Sequence, residues 1–204
     1  MRPSPLTLTL ALCALAHGCG ASSQCLAGRT CGDARWLAEG SVIDGRRVVA
    51  QAVSSASVGS PAGNSRSDAM RVSSNPVFLR FDLSALGDAT VIDRAVLALS
   101  PHPAWRASSR GSRLVARSIA SAWTVARVAS ADAPTTGETS TEVTLPAGVR
   151  GPLRVDVTSI VQAWRARTSP EEGLALEVDG GDAVFAGVGA ATLADRPRLE
   201  VVVR

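Results

Sequence analysis

The chain reads as an all-β protein, an antiparallel β-sandwich with one short helix, and three observations carry that reading. Short apolar segments recur along the sequence with glycine, proline, serine or aspartate between them, the punctuation of strands joined by turns. Within these segments apolar and polar residues alternate, as in strands with one covered face. One stretch then changes period. In LRVDVTSIVQAWRAR, residues 153–167, Leu153, Val155 and Val157 alternate with Arg154 and Asp156, after which Ile160, Val161 and Trp164 share one helical face. Ser159 and Gln162 stand at capping-box spacing at the start of that helix.

The first 18 residues read as a signal peptide. One arginine precedes an apolar run over 6–16, too short for the about 20 residues a membrane-spanning helix needs. Ala14-Leu15-Ala16 offers an ordinary cleavage site. Ala16-His17-Gly18-Cys19 resembles a bacterial lipobox, with His17 an unusual residue in it. Cysteine parity favours the second. Of Cys13, Cys19, Cys25 and Cys31 the first is removed, and a lipid on Cys19 leaves Cys25 and Cys31 to pair as a small disulfide loop in an oxidising compartment. Cleavage after Ala16 leaves an odd thiol. Residues 19–35 then form a small, polar tether, and 36–204 form one domain, opened by Trp36.

The expected strands are 48–58, 69–73, 77–83, 91–99, 113–119, 142–145, 153–157, 174–179, 183–185 and 199–203. Leu79, Phe81 and Leu83 face inward, with Phe78, Arg80 and Asp82 opposite. Leu174, Leu176 and Val178 oppose Ala175, Glu177 and Asp179, and Leu199, Val201 and Val203 form a third inward set. Strands with one apolar face suit antiparallel sheets packed face to face. The polar, small-residue stretches 54–68 and 130–140 read as mobile loops.

Several of these segments together resemble the DNRLRE domain, a secreted β-sandwich family also grouped with carbohydrate-binding modules. FLRFDL (78–83) followed by SAL, VIDRAVLAL (91–99), VDVTSIVQAW (155–164) and RPRLEVVV (196–203) carry the resemblance, and VDVTSIVQAW is its most specific part. It runs from about Val48 to the C-terminus. The resemblance implies a jelly-roll-like strand order and a role in binding polysaccharide rather than cleaving it. The chain departs from the family pattern at Gln51-Ala52, after Ala122-Trp123-Thr124, and in the nearly featureless run AGVGAATL over 186–193.

Catalytic constellations are sparse. His102, in the proline-bounded loop PHPAW, is the one histidine left after processing, and no GxSxG turn, HExxH motif or phosphate-binding glycine loop accompanies it. Asp82, Asp156, Glu177 and Asp179 occupy outward strand positions as solvated or arginine-paired carboxylates. The net charge is +3, and all 21 basic residues are arginine. They are scattered among acidic residues rather than gathered into a stripe, which argues against a nucleic-acid partner.

Sugar binding calls for an aromatic face for a pyranose ring and polar groups for its hydroxyls. There are four tryptophans and no tyrosine. Trp164 and Trp123 read as structural, so the ligand-binding candidates are Trp105 and the adjacent Arg106. Arginine suits the carboxylates of an acidic polysaccharide through bidentate contacts. Asp179-Gly180-Gly181-Asp182 is a tight hairpin signal. Asp179 and Asp182 are also the chain's calcium candidate, though without the repeating acidic spacing of a dedicated calcium loop. No other cofactor is implied.

These readings combine into an exported, lipid-anchored, non-catalytic module of the bacterial cell envelope that binds a cell-surface or environmental polysaccharide, acidic ones included. Its contact with the membrane is through the anchor alone, and cleavage after Ala16 would make it extracellular. The alternative is a structural or adhesive envelope protein that uses the same sandwich for contacts with other proteins.

Overall fold

A computed structural model describes residues 46–58, 67–87, 91–103, 111–129, 132–145, 151–168 and 170–204. All of them belong to one compact unit, Asp44–Arg204. The ten described strands are β1 (Arg46–Ser57), β2 (Ala69–Val72), β3 (Val77–Phe81), β4 (Ile92–Leu99), β5 (Arg113–Ile119), β6 (Thr136–Thr144), β7 (Leu153–Asp156), β8 (Leu174–Asp179), β9 (Ala183–Ala186) and β10 (Arg198–Val203). Helix α1 is Val125–Ala129 and α2 is Thr158–Arg165.

Eight strands form one antiparallel sheet in the order β6-β5-β8-β3-β1-β10-β4-β7. It folds over at β1 into a front layer, β1-β10-β4-β7, and a back layer, β6-β5-β8-β3. The edge strands β6 and β7 approach each other without pairing, so the sandwich is a nearly closed, jelly-roll-like barrel. β2 and β9 form a separate ribbon. Ala186 N–H donates to Ser100 O at 2.8 Å, and Val178 N–H donates to Ser73 O at 2.8 Å, which ties the ribbon to both layers.

Long β1 serves both layers because of an irregularity in its register. Arg46 to Gln51 pair with β10, Ala52 to Ser57 pair with β3, and the register shifts between Ala52 and Ser54. Val48, Ala50 and Ala52 point inward before the shift, and Ser55 does so after it. One extra residue reverses the parity of the strand, and exposed Val53 is that residue.

The main core runs between the layers, with Leu79, Leu97, Leu114, Leu174, Leu176, Leu199 and Val201 all fully buried. The expected inward sets on β3, β8 and β10 are therefore found. Phe78 and Ala175 are also buried, although they lie on the outer side of the back layer. With Ala56, Ile119, Trp123 and Val128 they make a second, smaller core. Covering it is α1, a second helix where the sequence reading expects one. Thr124 Oγ1 accepts the Arg127 N–H at 3.3 Å at the start of α1, as an N-cap does.

Three further expectations are corrected. Residues 136–140 belong to β6 instead of a loop. Its inward residues Thr139, Thr141 and Val143 are only half-buried, so this edge strand carries no strong apolar alternation, and its threonines are the β-forming signal. Asp179-Gly180-Gly181-Asp182 is a turn, with Gly180 at φ 81°, but not a hairpin, because β8 pairs with β3 and β5 while β9 pairs with β2. Ser159 and Gln162 form no capping box. Asp156 Oδ1 instead accepts the Thr158 N–H at 3.0 Å, and Gln162 Nε2 donates to Ile92 O at 2.9 Å, which holds the helix on β4.

Gly173, just before β8, is required by close approach. Its φ is 106°, and a Cβ there would lie 2.0 Å from the Leu79 carbonyl oxygen. After β3 the chain turns through a 3-10 segment, Ser84–Leu86. The side chain and the backbone N–H of Ser84 both bond the exposed Asp82 carboxyl and lower its pKa from the ordinary 3.8. A lowered folded-state pKa contributes stability that is present above the ordinary value and lost as pH falls through the folded one. Asp82→Asn is therefore expected to flatten the pH dependence of unfolding below about pH 4. Urea melts between pH 2.5 and pH 5 check this, and an unchanged slope would show that Asp82 is not the group responsible.

Candidate functional site

The outer surface of the back layer carries an open groove of about 440 Å3. Three neighbouring strands build it. β5 supplies the outward residues Arg113, Val115 and Arg117, β8 supplies Glu177 and Asp179, and β6 supplies Ser140 and Glu142, with inward-facing Val178 and Thr141 between them and Ser74 completing the rim. Register explains their convergence. Val115 lies directly between Glu142 on one side and Glu177 on the other, while Arg113 stands opposite Asp179 and Arg117 opposite Ser140.

Arg113 is fixed by two carboxylates, Asp179 Oδ2 at 2.9 Å and Glu142 Oε2 at 3.5 Å. The hydrogen bond to Asp179, followed by the charges of Glu142 and Asp179, raises its pKa, so it stays a cation. Arg117 and Glu177 are half-buried, and their side chains make no ion pair or hydrogen bond among the described residues. The groove thus offers donors, acceptors and hydroxyls above a floor that is partly apolar.

The outer surface of the front layer is built differently. Glu200 is fully buried there, its Oε2 forming an ion pair with Arg47 at 3.1 Å and accepting from Arg154, its Oε1 accepting from Arg198 at 2.9 Å. Beside this cluster Arg94 pairs with Asp156 at 3.7 Å. The aliphatic stems of these arginines cover the carboxylate. Sequence reasoning missed Glu200, which alternation places on the solvent side of β10 between Leu199 and Val201.

The tryptophans that the sequence marks as structural are buried, Trp123 at 3% exposure and Trp164 at 4%. Trp123 Nε1–H donates to Glu172 O at 2.7 Å, and the Arg80 guanidinium lies 4.7 Å from the centre of the indole ring. The same guanidinium donates to Trp123 O and pairs with Glu172, so the indole is a clasp between β3 and the chain entering β8. Trp105 and Arg106, the expected sugar contacts, lie outside the described residues, as do Trp36 and Cys19. His102 donates its backbone N–H to Val184 O at 3.1 Å.

Each of the calcium candidates pairs with an arginine. Asp179 is engaged with Arg113, whereas Asp182 pairs with Arg71 at 3.2 Å. Among the described residues no group of three or more His, Cys, Asp or Glu side chains could hold a metal ion. The disulfide expected of Cys25 and Cys31 is also corrected, since the four cysteines show no disulfide or near-disulfide pairing. Parity counts thiols but does not bring Cα atoms within the roughly 4.4–6.8 Å that a disulfide needs. Both residues lie outside the described ones.

The fold and groove define an antiparallel, jelly-roll-like sandwich with a mixed polar surface site. Compared with known proteins, the chain matches no family model and no curated protein. Among the described residues no helix is long and apolar enough to cross a membrane.

Proposed function

We propose that the protein is an exported, lipid-anchored module of the DNRLRE type that binds polysaccharide without cleaving it. The observation that supports this reading best is the groove on the back layer. It is open, and it sets the half-buried polar side chains of Arg117 and Glu177 beside half-buried Val115, the combination that sugar rings with one C–H face and many hydroxyls require. The carboxylates near it are ligand contacts in this reading and carry out no hydrolysis. Trp105 and Arg106, the ligand contacts expected from the sequence, belong to the same proposal.

Two experiments test it. A glycan array probed with the purified protein is expected to show binding to at least one polysaccharide class, and an array blank for every class would defeat the binding reading. For the anchor, Cys19→Ser is expected to abolish lipid labelling and move the protein out of the membrane fraction, because a thioether-linked lipid needs that sulfur. A parent protein that takes up no lipid label would point to cleavage after Ala16 and an extracellular protein.

A further inference from the structure

Resting on the polysaccharide reading, we infer that the ligand is held by Arg117 and Glu177 and that the groove selects neutral over acidic polysaccharides. The first part follows from which side chains are available. Arg113 is already engaged by Asp179 and Glu142, so a ligand would have to break existing ion pairs to use it. The side chains of Arg117 and Glu177 make no bond among the described residues, and both border the groove. They stand diagonally on adjacent strands, because Val115 is the register partner of Glu177 and Arg117 that of Ala175. Diagonal neighbours are roughly 7–8 Å apart, leaving a gap between a donor-only guanidinium and an acceptor-only carboxylate. Two adjacent ring hydroxyls fill such a gap, one donating to Glu177 and the other accepting from Arg117. Val115 lies beneath as the apolar contact for the ring's C–H face.

The second part follows from charge. Among the described residues the groove sets two guanidiniums against three carboxylates, one formal negative charge in excess, which repels a polyuronate or a sulfated chain. The front layer offers an acidic polymer no better site, since Arg47, Arg154 and Arg198 are engaged by Glu200 and Arg94 by Asp156.

The test is affinity electrophoresis and calorimetry of the full-length protein with a neutral β-glucan, a neutral arabinoxylan and polygalacturonate, at low and high salt. Binding is expected for a neutral polymer, little changed by salt. Glu177→Ala and Arg117→Ala should each weaken it roughly 10- to 100-fold, the loss expected for hydrogen bonds to charged groups, with unchanged melting temperatures. Neutral-polymer binding that ignores both substitutions overturns the site while leaving the polysaccharide reading in place. Tighter, salt-sensitive binding of polygalacturonate overturns the selectivity and likewise leaves that reading intact. Failure to bind any of the three polymers, together with a blank array, overturns both.

Discussion

Truncating Trp164 to alanine is expected to destabilise the protein by about 3–5 kcal/mol, the cost of removing a large aromatic from a packed core. The side chain is 4% exposed and belongs to the main core with Ile160 and Val161 of α2. It is the anchor of a helix of eight residues, too short to hold together without tertiary contacts. Its Nε1–H is buried with no hydrogen-bond partner among the described residues, so the indole contributes by packing. Trp164→Phe, which keeps a ring and removes the unpaired donor, is therefore expected to cost much less than Trp164→Ala. Urea denaturation of the two variants checks this. Equal losses would mean that the nitrogen matters, and a small loss for alanine would mean that α2 does not depend on this contact.

Replacing Glu200 by alanine should cost a similar amount, about 3–5 kcal/mol, as when one partner of a buried ion pair is removed. The carboxylate has 0% side-chain exposure, and the three arginines on it are 16–29% exposed. Without it three guanidiniums repel one another in a partly desolvated site. Glu200→Gln keeps the shape and one acceptor but removes the charge, and it is expected to fall between wild type and alanine. A glutamine variant as stable as wild type would show that the site needs hydrogen-bond geometry rather than charge. An alanine variant within about 1 kcal/mol of wild type would place Glu200 in the class of surface ion pairs, which contribute little.

Both residues show how far sequence reasoning reaches. Trp164 is legible because the helical period from Ile160 to Trp164 points three apolar side chains one way, and local geometry allows them no other common face. Glu200 is not legible. Alternation says that it faces away from Leu199 and Val201, which it does, but whether an outward position meets water depends on Arg47 and Arg154, 153 and 46 residues away in the chain. Phe78 and Ala175 carry the same lesson. They are outward on their strands and buried all the same, because α1 and Trp123 cover that end of the back layer.

Local patterning by itself determined that the protein is an antiparallel all-β sandwich, where nearly all its strands run, which residues of β3, β8 and β10 enter the core, and which face of α2 docks. These properties follow from the period of the backbone, since side chains two apart on a strand, or three and four apart on a helix, share a face whatever surrounds them. Only the tertiary structure decided that β8 and β9 part company after their turn, that Val53 reverses the parity of β1, and that a threonine-rich stretch is the edge strand β6. It alone assembled the groove, whose walls come from β5, β6 and β8. Strand order and register are long-range choices, made by the packing of whole layers, and no local period encodes them. Arg117 and Glu177, 60 residues apart in the sequence, become neighbours because β5 pairs with β8 in the register that buries Leu114, Ala116, Leu176 and Val178 on the other face.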